Sequence, residues 1–457
     1  MSTLCITRSL FGCIAMSLLG LGSFGCGPQF DPPSKLQSLR ILAVKKADPY
    51  LRPAPSSAIG TTLNDPTDTI PDSVAHLTLA MEDARPLEAR QGPTQKLWFG
   101  GCNNPPRDNY FTCLLNVWLS FKVWNELGPL TARGPGYLPD GQGWPNQEDL
   151  NQIGLIRLTQ FLQDTFPNQF EDATAGVPAA AAGAGSAQQQ ELLQQAMALR
   201  VGTGDTFDYP VPSWVIEKHA PPDDPDLPRY GLSQAFLAVC DGEIGISPDW
   251  KTVDNPLAIL TDATRGFPLT CYERNTNQTK ERGPDHFMVS YSNLYVYDEL
   301  TNQNPIIEGF RFDTTDVTGA ALCIGQACQN ADDPPCGSGG MPSVKACDPD
   351  HERGCGEHRI TPVLKESENN ERDAIASTVG GGDENLREQM WIRYYSDLGK
   401  VKRDTKRLQD ATDGWYSDHY TEWTPPTQGS GVAHIWSVVY DNRGGVEWAR
   451  VSVCVTE

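Results

Sequence analysis

The sequence predicts a mainly β fold, arranged as two β-sandwiches with disulfide-stapled loops, and three observations carry this prediction. Gly and Pro number 42 and 36 in 457 residues, which favours many turns and short strands over long helices. Apolar residues recur in short alternating runs, the period of a strand with one face in a core. Of the thirteen cysteines, ten lie beyond residue 100, an even set such as an oxidising compartment pairs into disulfides. Hydrophobic content of 39%, with 11 Trp and 14 Tyr, supports well-filled cores. The formal charge of -22 repels phosphate backbones and argues against nucleic acid as a partner.

Residues 1–25 read as an export leader. Arg8 precedes an apolar run from Leu10 to Phe24, which is too short for a membrane span of about 20 residues and suits an export core of about 7 to 15. Leu21-Gly22-Ser23-Phe24-Gly25-Cys26 resembles the lipobox of bacterial lipoproteins, which implies cleavage before Cys26 and lipidation of its thiol. An ordinary secretory leader cut nearby and an uncleaved anchor are the other readings. Gly27 after the cysteine resembles an outer-membrane sorting address. Loss of the leader removes Cys5, Cys13 and the single cation Arg8, so the mature charge is -23. Residues 26–35, polar and proline-bearing, are expected to tether membrane to fold.

A first domain is expected over 36–299. Leu39 to Val44 is a compact strand signal closed by Asp48-Pro49, and Val74 to Leu79 alternates as a second. The third, Lys96-Leu97-Trp98-Phe99, runs into Cys102. A Trp on the third strand resembles the immunoglobulin-like sandwich, where it packs between sheets. Cys102 and Cys113 bracket ten residues and read as a local disulfide. Leu114 to Trp124 fits either a strand or a helix, with the helix favoured. Asn146 and Asp149 open a helix pattern through Leu150, Ile153, Leu158, Phe161 and Leu162, and an Ala/Gly-rich stretch leads to a Gln-rich helix pattern, Gln188 to Arg200. Residues 114–205 are therefore expected to form a helical, partly low-complexity insertion. Strand signals resume at Tyr209 to Ile216, Leu232 to Val239 and Phe287 to Tyr297, with Cys240 and Cys271 stapling the loop between the last two.

A second domain is expected over 300–457. Its first strand begins near Asn304, and residues 323–355 form a Gly/Pro/Asp-rich loop holding Cys323, Cys328, Cys336, Cys347 and Cys355. Adding Cys454 gives six cysteines and 15 possible pairings. Gln389 to Tyr395 puts another Trp in a strand, and His434 to Tyr440 with Val446 to Val455 flank the turn Asp441-Asn442-Arg443-Gly444-Gly445 as a hairpin. KLWFGGC pairs with QMWIRYY, and QAFLAVCDG with HIWSVVYDN, which suggests a duplicated sandwich. The stretches CGPQFDPPSKLQSLRILAVKKADP, GLSQAFLAVCDG and HIWSVVYDNRGGVEWARVSV together resemble uncharacterised surface or outer-membrane lipoproteins of myxobacteria and relatives. The resemblance implies immunoglobulin-like parts and transfers no catalytic residue.

The sequence names no catalytic residue, metal ligand or cofactor. GxSxG, HExxH and GxxxxGK[ST] are absent. The cysteine spacings near His351 and His358 exceed those that open structural zinc sites, and disulfides are expected instead. Asp223, Asp224 and Asp226, like Asp348 and Asp350, supply oxygen ligands without the EF-hand register, so they read as solvated turns. Trp415, Tyr416, Tyr420 and Trp423 form an aromatic group that either packs a sandwich edge or contacts a ligand such as a sugar ring. The functional expectation is a lipid-anchored extracytoplasmic structural or adhesion-type protein of the bacterial outer membrane or cell surface. Its partners would be the membrane, through the lipid, and an envelope or surface protein or glycan. A glycan-binding or glycan-hydrolysing protein is the alternative.

Overall fold

The computed structural model describes residues 34–52, 74–90, 92–105, 113, 200–212, 214–219, 222, 227–251, 267–274, 276, 278, 279, 285–298, 300–330, 334–348, 355–366, 368–379 and 386–457. The expected leader with Cys26, the expected helices of 114–199, the acidic loop 223–226, Asp350 and His351 lie outside the described residues.

The protein is mainly β. In the first half, strands β1 (Leu39–Lys46), β2 (Tyr50–Leu51), β3 (Val74–Asp83), β4 (Gln95–Asn103), β5 (Arg200–Thr203), β6 (Thr206–Pro210), β7 (Tyr230–Cys240), β8 (Glu243–Ile246), β9 (Leu269–Tyr272) and β10 (Phe287–Tyr297) form three sheets. Their orders are β1-β3-β6, β2-β10-β7-β4-β5 and the hairpin β8-β9. The first two sheets face each other across Leu39, Leu77, Leu79, Trp98, Phe207, Tyr209, Leu237 and Val296. Trp98 is fully buried there; it stacks on Phe207 at 5.7 Å and donates from Nε1 to the Gly204 carbonyl at 2.9 Å. The opposite face of β7 is buried too, against Leu97, Phe99, Trp250 and Leu269. Burial on both faces is why QAFLAVC reads as an unbroken apolar run rather than an alternating one.

Two expectations for this half are corrected. The segment Tyr209 to Ile216 is not one strand: β6 ends at Pro210, and Trp214–Lys218 form a short helix, α1. Pro210 and Pro212 lack the N–H that a ladder needs, and the turn of helix aims Val215 and Ile216 into the core. The helical insertion also stops short of 205, because Arg200–Thr203 pair with β4 as β5. A second short helix, α2 (Pro248–Lys251), carries the buried Trp250.

The second half holds β11 (Ile307–Phe312), β12 (Thr315–Asp316), β13 (Leu322–Ile324), β14 (Ser343–Lys345), β15 (His358–Leu364), β16 (Met390–Ser396), β17 (Lys400–Val401), β18 (Thr405–Asp410), β19 (Gly414–Trp415), β20 (Thr421–Thr424), β21 (Gly431–Asp441) and β22 (Val446–Thr456), with helix α3 at Ala374–Val379. A five-stranded sheet, β12-β11-β15-β20-β17, packs on β13-β22-β21-β16-β18-β19, with β14 also pairing β22. Phe310, Ile360, Ile392, Tyr394, Trp423, Ile435, Val451 and Val453 fill the space between.

The halves share a third apolar layer. Trp436, Val438, Val446 and Trp448, on the outer face of β21 and β22, cluster with Leu36, Leu42, Ala43 and Ala80 of the first half. Strand β1 serves two cores through a bulge between Ile41 and Ala43: Leu39 faces its own sandwich while Leu42 and Ala43 both face the junction. A bulge re-aims side chains in this way, which explains why Ile41-Leu42-Ala43-Val44 has no polar residue. Ser34 and Lys35, expected to close a tether, belong to the fold instead. Ser34 is buried, its carbonyl accepts the Ser396 N–H at 2.8 Å, and the Leu36 N–H donates to the Ser396 carbonyl at 2.7 Å.

The paired stretches of the two halves occupy equivalent places, since β4-β7-β10 and β16-β21-β22 have the same neighbour order. Their registers differ. Trp98 lies opposite Leu237, whereas Trp391 lies opposite Tyr440 and stacks on its ring at 6.1 Å. Trp98 lies in the core of its sandwich. In β16 the corresponding core is filled by Met390, Ile392 and Tyr394, so Trp391, of opposite parity, points the other way.

Candidate functional site

The aromatic group expected at 415–423 divides between core and surface. Trp423 is fully buried, with Nε1 donating to the Leu398 carbonyl at 2.9 Å. It is a core residue with no face for a ligand, because the strand parity of β20 turns Thr421 and Trp423 inward. Trp415 packs against the same core. Tyr416 and Tyr420 are half-buried at the rim. The Tyr420 ring carries two cations, the Arg359 guanidinium at 3.8 Å and the Lys406 ammonium at 4.7 Å from its centroid. Lys406 also donates to Asp418 Oδ2 at 3.0 Å.

All ten cysteines from Cys102 onward are paired. The bonds are Cys102–Cys113, Cys240–Cys271, Cys323–Cys328, Cys336–Cys454 and Cys347–Cys355. The first two cap the outer core of the first half. Cys336–Cys454 sews the Cys-rich loop to β22, on which β13 and β14 also pair. His358 is engaged by Asp313 Oδ2 at 2.9 Å and by the Phe312 ring. Among the described residues no group of three or more His, Cys, Asp or Glu side chains is placed to hold a metal ion.

Among the described residues, a dense group of ionisable side chains lies at the junction, around the β21–β22 turn. Asp441 is buried; its Oδ1 accepts the N–H groups of Arg443 and Gly445, each at 2.7 Å, and its Oδ2 accepts Asn302 Nδ2 at 3.1 Å. Arg443 donates to Glu388 at 2.9 Å and to Glu371. Burial raises the Glu388 carboxyl to about 7 against the pull of Arg443. From the first half, Lys46 is enclosed, donates to the Asn293 carbonyl at 3.2 Å, and is lowered by burial to about 8, with Asp441 opposing. Asn304 clamps both halves, donating to the carbonyls of Lys46 at 2.6 Å and Ala47 at 2.9 Å while accepting the Val446 N–H at 3.0 Å. Lys45 and Glu447 add an ion pair at 2.6 Å. Burial also pushes the Tyr50 and Tyr297 hydroxyls well above their ordinary range.

Sequence reasoning missed this cluster. Its one local signal is two consecutive lysines closing an apolar strand. The acids that meet Lys46 and Arg443 come from segments far apart in the chain. A comparable buried group in the first half joins Arg85 to Asp83 at 2.6 Å, to the Asp285 carbonyl at 2.6 Å and to Asp241. In both groups the charged side chains engage protein partners, an arrangement that fixes loops and sheets against each other. The chain matches no protein-family model, no curated protein and no solved structure. Its class accordingly rests on its own features, those of a mainly β, disulfide-bonded protein with a polar junction and a basic, aromatic edge.

Proposed function

We propose that this is a lipid-anchored extracytoplasmic protein of a bacterial outer membrane or cell surface, in which two immunoglobulin-like sandwiches serve structure and interaction rather than catalysis. The pairing of cysteines carries the reading. With Cys5 and Cys13 removed in the leader and the other ten paired, Cys26 is the one thiol left over. A free thiol is out of place in an oxidising compartment, and acylation removes it. Residues 27–33 then separate the lipid from Ser34, which at full extension spans no more than about 30 Å. A body held that close to a membrane presents its far end to the envelope or to the outside.

Metabolic labelling with an alkyne fatty acid tests the anchor. Label should enter the wild-type chain and be missing from Cys26→Ala, and equal labelling of both refutes the assignment. Crosslinking in intact envelopes tests the interaction, with Cys26→Ala as the comparison. A partner enriched only with the anchored chain supports the reading, and identical recoveries oppose it.

A further inference from the structure

The strand-rich edge that carries Tyr420 is unusual for this chain. Overall the protein is strongly acidic, yet residues 400–407 contain Lys400, Lys402, Arg403, Lys406 and Arg407 with Asp404 as the one acid. The fold concentrates them. Val401 turns into the core, so Lys400 and Lys402 project from the outer face of the sheet. Next to β17, β20 brings Thr421, whose Oγ1 accepts the Arg403 N–H at 3.3 Å and donates to its carbonyl at 2.7 Å. One strand further, Arg359 pairs across from Glu422 and lies on the Tyr420 ring, shared with Lys406.

Several of these cations are already neutralised: Lys402 by Glu357 at 2.8 Å, Lys406 by Asp418 and Arg407 by Asp410 at 2.6 Å. Arg359, Lys400 and Arg403 are exposed and have no ion-pair partner among the described residues. Stacking on Tyr420 holds the Arg359 guanidinium in place, and its planar fork suits a carboxylate. Tyr416, four residues before Tyr420 in the chain, is half-buried, without a ring or side-chain hydrogen-bond partner among the described residues. A guanidinium fixed on a tyrosine ring, with exposed cations on the same edge, fits a ligand that alternates rings, hydroxyls and negative charge.

We infer that the edge formed by Arg359, Lys400, Arg403, Tyr416 and Tyr420 binds an acidic polysaccharide through its carboxylates. This names a partner class for the interaction proposed above and does not depend on the lipid, so the two readings fail separately. The test uses the full chain with Cys26→Ala and polygalacturonate as the probe, with neutral dextran and duplex DNA beside it, measured by calorimetry. Polygalacturonate should bind and dextran should not, and binding should weaken as salt screens the charges over a Debye length of about 8 Å. Arg359→Ala/Arg403→Ala should weaken binding about tenfold, a loss of about 1.4 kcal/mol, at an unchanged thermal midpoint. The charge-matched pair Arg52→Ala/Lys365→Ala should leave it intact. Absence of binding overturns the inference, as do an equal loss from the remote pair and DNA binding as tight as that of polygalacturonate.

Discussion

A Cβ at Gly444 would sit 2.6 Å from the Lys46 ammonium nitrogen, so the closest approach of the two halves at the β21–β22 turn depends on a missing side chain. Gly444 also has φ +90, a backbone region that L side chains avoid at about 1–2 kcal/mol. Gly414 provides the comparison, since its φ is +78 and a Cβ added there would meet nothing within 4 Å. Gly414→Ala should therefore lower stability by the backbone cost alone. Gly444→Ala should lower it further, because Lys46 is enclosed and cannot swing away. Equal losses in chemical denaturation would show that the lysine is free to move.

Two of the shifted groups at the junction, Glu388 and Lys46, predict opposite slopes with pH. Glu388 binds its proton more tightly folded than unfolded, between 4.5 and about 7, so stability falls as pH rises through that window. Lys46 holds its proton less tightly in the fold, between about 8 and 10.5, so stability rises as pH rises through that higher window. Each full shift corresponds to about 3 kcal/mol. Glu388→Gln should flatten the lower slope and Lys46→Met the upper one, in unfolding midpoints measured across both windows. Retention of either slope in its variant would assign the titration elsewhere.

The disulfides should differ in weight. Cys336–Cys454 joins residues 118 apart and Cys323–Cys328 residues 5 apart. On the chain-entropy model the longer loop contributes about 5 kcal/mol and the shorter about 2 kcal/mol. Replacing each pair by Ala and comparing denaturation midpoints checks the order, and a greater loss from the Cys323–Cys328 pair would contradict it.

The aromatic edge should separate by depth. Trp423→Ala removes a fully buried ring and should cost about 3–5 kcal/mol, with polysaccharide binding lost only as far as the fold is lost. Tyr416→Ala should change stability by less than about 1 kcal/mol and weaken polygalacturonate binding. A Tyr416→Ala chain that unfolds as readily as Trp423→Ala would place Tyr416 in the core.

Much of the fold was legible where burial follows a local period. β1, β3, β4, β7, β10 and the β21–β22 hairpin stand out as alternating or continuous apolar runs. Other elements were not legible. β17, β18 and β20 are short, polar at many positions and held by their neighbours, and α1 arises where two prolines interrupt a strand pattern. At the candidate site, the sequence grouped Trp415, Tyr416, Tyr420 and Trp423 but could not rank their exposure. Arg359, which stacks on Tyr420, lies outside that group because its proximity comes from the pairing of β15 with β20.

By itself the sequence determined the β-rich class and the even set of cysteines beyond residue 100, both of which depend on composition, parity or short-range spacing. Only the tertiary structure decided which cysteines pair, that Trp98 and Trp391 face different layers, that Trp423 is interior, and that Lys46 meets the Asp441 turn. The physical reason is the same in each case. A strand's period says that one face is covered, whereas the surface that covers it is chosen by tertiary contacts that the period does not encode, some between residues hundreds of positions apart, such as Lys45 with Glu447.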